Sequence, residues 1–417
     1  MDFLIEVLRY CLGTETDEKT VGRSFPSPSS DWDEVIEEAD WHGIVPLLYQ
    51  SLKVLGTGVN ITDSVLQRMQ GKYLRSALEN LRRSRQLSEL LRALTSDGIP
   101  VIALKGMHLA EIVYGNVALR PMSDIDLLVK DEDLPKTEER MFGLGYSYGP
   151  FAYANRSWIA EKIGNRAYVP AKGGSVVEIH WGIGLGSPFN IDPKGLWERA
   201  CPATIDGTPV LVLSPEDLLL HMCLHTSFQN AFLTGLLPLC DIVRIIQHYR
   251  GELDWGKVQD RIGQWGVARP VYLTLDLAKE LLRAEVPNGF LERIRPHGFD
   301  REMTVRAREQ IFDSRDSNQA VSPKLIRLWG SKGLEGKLNL LREAFLILKN
   351  VFLSKEYITY NYSVPRKSLR VYFYYAVSLK DILLRYGGSA WSLLRKNKLM
   401  VSRAERENEL RTWLESV

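Results

Sequence analysis

LRPMSDIDLLV, residues 119–129, sets Asp124 and Asp126 one residue apart in an otherwise apolar run. On a strand, side chains at i and i+2 share a face. The two carboxylates therefore stand side by side, while Ile125 and Leu127 point to the opposite face and into a core. Two carboxylates at close range repel, and the pKa of one rises unless a cation compensates it. A divalent metal is the natural compensator. Mg²⁺ suits hard oxygen ligands on a rigid strand, because it takes few carboxylates and fills its other positions with water and substrate phosphates. An exposed strand end is the plain alternative for the pair.

The flanking sequence supplies a sheet for this strand. SDG at 96–98 breaks a helical pattern, and IPVIALKG (99–106) follows as a short β-rich segment bounded by Gly106. MHLAEIVYG (107–115) fits a short helix, and EDLPKTEERMFGLGYSYG (132–149) a helix ended by Gly143 and Gly145. AYVPAKGGSVVEIHW (167–181) reads as two strands joined by a glycine turn, and TPVLVLS (208–214) as one more. On the strand at 175–181, Val177, Ile179 and Trp181 share one face and Val176, Glu178 and His180 the other. Glu178 is thus a candidate third acid, as metal ligand or general base, against the alternative of a solvated outer face. His180 is a weaker candidate; a satisfied structural histidine is the competing reading.

Helices are expected on both sides. DWDEVIEEADWHGIVPLLYQSLKVL (31–55) and LQRMQGKYLRSALENLRRSRQLSELLRAL (66–94) carry apolar residues at helical spacing. Ser214-Pro215-Glu216-Asp217 is a helix start, with helix continuing to about residue 249 and again to about 290. The stretch 291–340, with DSRDSNQAVSPK and GSKGLEGK, reads as loops and a boundary before further helices. The expected class is α+β: a small mixed-sheet core at 96–214, an N-terminal helical lobe at 1–95, a helical acceptor-side lobe at 215–330 and a basic helical segment at 331–417.

Composition excludes several classes. With 45% hydrophobic and 25% charged residues, the chain is an ordinary globular one, neither disordered nor fibrous. Its 4 cysteines lack CxxC spacing, which argues against a zinc site or a disulfide framework and points to a reducing compartment, the cytoplasm by default. MDFLIEVLRYCLGTE lacks the basic start and cleavage site of a signal peptide, and the apolar runs fall short of the ~20 residues that span a bilayer. The formal net charge of +2 hides an asymmetry, with 18 Lys/Arg against 8 Asp/Glu from Lys324 onward. A basic helical face packed against acidic parts of the same chain is one reading; nucleotide, nucleic-acid or anionic-lipid contact is the other. A P-loop and the kinase motifs are absent.

LKGMHLAEIVYG followed by LRPMSDIDLLV, then EIHW, then a helix bearing HMCLH, resembles the family-five nucleotidyltransferases of the polymerase-β superfamily. The resemblance is specific between about 95 and 215. It implies a glycine turn at a helix start, an Asp-hydrophobic-Asp strand and a third acid on a later strand. Gly106 stands for the turn, Asp124 and Asp126 for the pair and Glu178 for the third acid; Met107 departs from the pattern, which has Gly or Ser there.

The expected activity is Mg²⁺-dependent transfer of a nucleoside monophosphate from an NTP to a hydroxyl or phosphate acceptor, with pyrophosphate released. Asp124, Asp126 and Glu178 would hold two Mg²⁺ ions. Lys105, Gly106, Arg120 and Ser123 are candidates for phosphate contact. Asp241, a charge in an apolar helix, would orient an acceptor or pair with Arg244. His221 and His225 have zinc-compatible spacing, but no HExxH glutamate or third ligand, and packing is expected of them. Two other readings stay open: glycosyl or other group transfer from an activated nucleotide donor, and a catalytically silent module binding through the basic segment.

Overall fold

The computed structural model describes residues 2–14, 32–55, 61–149, 164–171, 173–184, 187–313, 358, 368–381 and 398–416. The linker sequence after Asp313 and most of the basic segment lie outside the described residues. Among the described residues four helices open the chain: α1 (Asp2–Cys11), α2 (Trp32–Trp41), α3 (Val45–Leu55) and the 34-residue α4 (Asp63–Ser96). The central unit follows: β1 (Ile102–Ala103), β2 (Asp124–Leu128), helix α5 (Leu134–Gly143), β3 (Tyr146–Tyr148), β4 (Asn165–Pro170), β5 (Val176–His180), α6 (Pro193–Glu198), β6 (Cys201–Ile205) and β7 (Thr208–Val212). Next come α7 (Pro215–Leu224), α8 (Leu237–His248), α9 (Trp255–Trp265), α10 (Ala268–Leu282), α11 (Asn288–Ile294) and α12 (Glu302–Asp313), with a final helix over Lys398–Glu415.

The seven strands form one mixed sheet in the order β3-β4-β5-β2-β1-β7-β6, so the fold is α+β. β2 lies centrally, parallel to β5 and antiparallel to β1. Two strands escape the sequence patterns, and both lie at sheet edges. β3 has three residues. β6 carries Pro202, tolerated because an edge strand leaves one row of backbone groups without ladder partners. β6 and β7 are joined by Asp206-Gly207, with φ of 47° and 68° at the two positions; positive φ at both turn residues matches the strand twist of a two-residue hairpin.

Alternation along the strands gives the sheet two differently used faces. Ile125, Leu127, Val177 and Ile179 are buried in one apolar cluster with Leu87, Leu90, Leu91 and Leu94 of α4 and Met141 of α5. Fully burying each such side chain contributes roughly 1.5–3 kcal/mol. The other cluster joins Leu104 and Leu128 to α1, α3, α7, α8 and α10, so the N-terminal helices and those after Ser214 share one continuous core. α7 starts as its sequence indicates, with the Ser214 hydroxyl accepting from the Asp217 amide at 3.3 Å. The helix expected to run on to residue 249 is interrupted: a π-helical turn at His225–Gln229 and positive φ at Ala231, Phe232 and Gly235 redirect the chain into α8. Glu302–Asp313 is helical where loop was expected, its Ala307 and Ile311 buried in the larger cluster. Among the described residues no helix is long and apolar enough to cross a membrane.

Candidate active site

β2 and β5 pair in register, with Asp124 opposite Val176, Asp126 opposite Glu178 and Leu128 opposite His180. In a parallel pair, residues in register face the same way. Asp124, Asp126, Glu178 and His180 therefore share the sheet face turned away from α4. Asp126 is the most buried of them, 5% exposed. The Lys105 ammonium stands 3.1 Å from Asp126 Oδ1, and His180 Nε2 stands 3.0 Å from the same oxygen and 3.5 Å from Glu178 Oε2. The Asn165 side-chain amide, from the antiparallel β4, donates to Glu178 Oε2 at 2.8 Å.

The local backbone explains how Lys105 reaches the centre. It takes φ of 23°, left-handed territory that costs a non-glycine residue roughly 1–2 kcal/mol. The turn places Gly106 close to the next segment, where a Cβ would lie 3.0 Å from Met122 Sδ. From there the chain enters a short helix, Lys105–Met107, and a π-helical turn, His108–Val113. π-Turns recur at functional sites, and this one and the turn at His225–Gln229 both adjoin the centre. His221 and His225 lie within electrostatic reach of Lys105 and Asp126.

The charges are unevenly balanced. Burial raises the carboxyl of Asp126, but Lys105 and the His180 hydrogen bond outweigh burial and hold it below the ordinary carboxylate range. Burial, reinforced by the neighbouring Asp126 charge, raises Asp124 against the pull of Lys105 and a Ser123 hydrogen bond. Burial likewise raises Glu178; His180 opposes it, and Asp126 and Asp124 add to it. Burial holds His221 neutral, its pKa lowered to about 3, and both of its ring nitrogens are buried without a hydrogen-bond partner among the described residues.

One oxygen each from Asp126 and Glu178 and one nitrogen from His180 lie within 4.8 Å of one another, a donor set able to hold a metal ion. Two carboxylates needing a cation, with a nitrogen donor directed at both, fit such an ion. Asp124 stands two positions back on the same face and is not part of that set. A family model described as an uncharacterised nucleotidyltransferase matches residues 28–283, more than half of the sequence.

The chain belongs to that family. This nucleotidyltransferase is similar, at 16% identity, to the antibiotic-resistance factor ANT(2'')-Ia, whose solution structure aligns over 43% of this chain and 89% of its own with a TM-score of 0.32. It is also similar, at 17% identity, to an antigenic nucleotidyltransferase-like protein from Paracoccidioides brasiliensis, over 52% of this chain and 98% of that one with a TM-score of 0.30. No curated protein matches it.

Two sequence-based candidates, Arg120 and Asp241, pair with each other, and Arg120 also lies within electrostatic reach of Asp124 and Asp126. Arg120 donates from Nε and Nη2 to the two oxygens of Asp241, each at 2.9 Å, and is buried. Its fork is occupied by a carboxylate rather than presented to a phosphate. Asp241 is fully buried and also accepts from Tyr114 Oη at 2.9 Å; Arg244 instead donates to the Cys11 carbonyl at 2.9 Å. The pairing joins residues 121 apart and leaves no local sequence signal. Asn165 escaped the sequence reading too. Only the β4–β5 register brings its amide to Glu178.

Proposed function

We propose that this nucleotidyltransferase moves a nucleoside monophosphate from an NTP to a hydroxyl or phosphate acceptor and releases pyrophosphate. The observation that carries the reading is the in-register placement of Asp126 beside Glu178, with Asp124 on the same face and Lys105 at the adjoining glycine turn. Asp124, Asp126 and Glu178 would hold divalent cations, two ions of the Mg²⁺ class. When bound, such ions neutralise charge on the transferring phosphoryl group and align the attacking and leaving oxygens. In the reaction the acceptor oxygen bonds to the α-phosphorus and the bond from that phosphorus to the bridging oxygen breaks.

The chain's own residues bind, orient and manage the proton. Lys105 and the amide groups following Gly106 would receive the triphosphate, Lys105 as a point charge and the turn through close backbone approach. Ser123, bonded to Asp124, helps fix that carboxylate. Glu178, oriented by Asn165, would take the acceptor's proton. Arg120, committed to Asp241, is a positioning residue that anchors the segment entering β2.

The test uses each NTP labelled at the α-phosphate, Mg²⁺ and a cell extract as the source of acceptor. Wild type is expected to label an acceptor, and Asp126→Asn to lose that labelling with an unchanged circular dichroism spectrum. Undiminished labelling by Asp126→Asn rejects the assignment, and a parallel run in which γ-labelled rather than α-labelled NTP marks the acceptor identifies a kinase.

A further inference from the structure

We infer that His180 is itself a metal ligand, and that the Asp126–Glu178–His180 position takes a first-row transition ion such as Mn²⁺ in preference to Mg²⁺. This rests on the proposed metal-dependent reading of the site and changes its donor set from three acids to two acids and an imidazole. His180 Nε2 lies 3.0 Å from one carboxylate and 3.5 Å from the other, so the nitrogen points at the place where the two acids converge. The strand register enforces this: Leu128 opposite His180 puts the imidazole on the same face as Asp126 and Glu178, one side-chain repeat along. A nitrogen meant only to steady one carboxylate has no need to approach both.

Charge and donor chemistry lead to the ion. Two carboxylates, a neutral imidazole and a divalent cation sum to zero, which releases Lys105 from neutralising Asp126 and leaves its ammonium for phosphate. Mg²⁺ strongly favours oxygen and sheds water reluctantly, whereas Mn²⁺ shares its preference for carboxylates and, as a first-row ion, binds an imidazole more readily; Fe²⁺, Ni²⁺ and Zn²⁺ favour imidazole further. His221 of α7, with neither ring nitrogen hydrogen-bonded among the described residues, and His225 of the turn after it lie within electrostatic reach of Asp126. Asp124, outside the three-donor set, is left for the second, all-oxygen ion.

The experiment titrates the full chain with Mn²⁺ by electron paramagnetic resonance and records the electron spin-echo modulation of the bound ion. Mg²⁺ affinity is measured by competition. Wild type is expected to bind Mn²⁺ at least tenfold more tightly than Mg²⁺ and to show ¹⁴N modulation from a coordinated imidazole. His180→Gln is expected to lose the modulation and to weaken Mn²⁺ tenfold or more, with Mg²⁺ changed less than threefold. Mn²⁺ that binds in an Asp126-dependent way but without nitrogen modulation overturns the His180 assignment and leaves the wider functional reading intact. Modulation that survives His180→Gln also overturns it, by placing the nitrogen on another imidazole. Mn²⁺ binding indifferent to Asp126→Asn overturns both. Where His180→Gln fails to fold, His180→Asn supplies the same comparison, and a wild-type spectrum without nitrogen modulation overturns the assignment on its own.

Discussion

Replacing Asp241 with leucine removes one side of an ion pair that the fold has enclosed, and the structure sets the size and asymmetry of the loss. The carboxylate accepts two bonds from Arg120 and one from Tyr114, all at 2.9 Å, and is fully buried. Its removal strands a guanidinium that cannot shed its proton, and the expected cost is about 3–5 kcal/mol. The converse change, Arg120→Met, strands a carboxylate whose pKa burial already pushes upward, so protonation relieves it. Its cost is expected to be smaller, about 2–3 kcal/mol. The double variant Arg120→Met/Asp241→Leu replaces two desolvated charges by apolar volume but leaves the Tyr114 hydroxyl without its acceptor, and is expected about 1–3 kcal/mol below wild type, well short of the sum of the singles. Urea unfolding followed by tryptophan fluorescence measures all four proteins, compared only where the denaturant slope is unchanged. A loss below about 1 kcal/mol for Asp241→Leu, or a double variant as unstable as the sum of the singles, refutes the argument.

Gly235→Ala is expected to destabilise by about 2–4 kcal/mol, because φ is 76° there and the new Cβ would stand 2.8 Å from His42 Nδ1 and 3.0 Å from His42 Cα; thermal unfolding that matches wild type would contradict it. Gly106→Val is expected to weaken binding of a non-hydrolysable NTP analogue tenfold or more, since a side chain there crowds Met122 and the turn that would receive phosphates. Calorimetric titration showing unchanged affinity removes Gly106 from the phosphate site. His108 is fully buried, and its pKa is lowered by burial from 6.5 to about 3. Its folded-state pKa lies below its unfolded one, so it weakens the fold as pH falls below 6.5, by about 2 kcal/mol between pH 7.5 and 5. His108→Gln should flatten the pH dependence of urea unfolding by that amount, and an identical slope would show that His108 does not titrate on unfolding.

Sequence by itself determined what depends on local periodicity. Asp124 and Asp126 share a face because side chains alternate along any strand, and Glu178 and His180 share theirs for the same reason. The start of α7 at Ser214-Pro215 was equally legible, since an N-cap is a contact within one turn. The edge strands were not: β3 is too short to show alternation, and the proline of β6 argues for a strand only once an unpaired edge is known to exist. Tertiary structure alone decided which face meets which. The register of β2 against β5 sets Glu178 opposite Asp126 and swings His180 toward both acids, and the packing of α8 brings Asp241 to Arg120. Each of these is a pairing between groups far apart in the chain. A buried charge must find a partner wherever the fold places one, and a residue's nearest sequence neighbours carry no record of that choice.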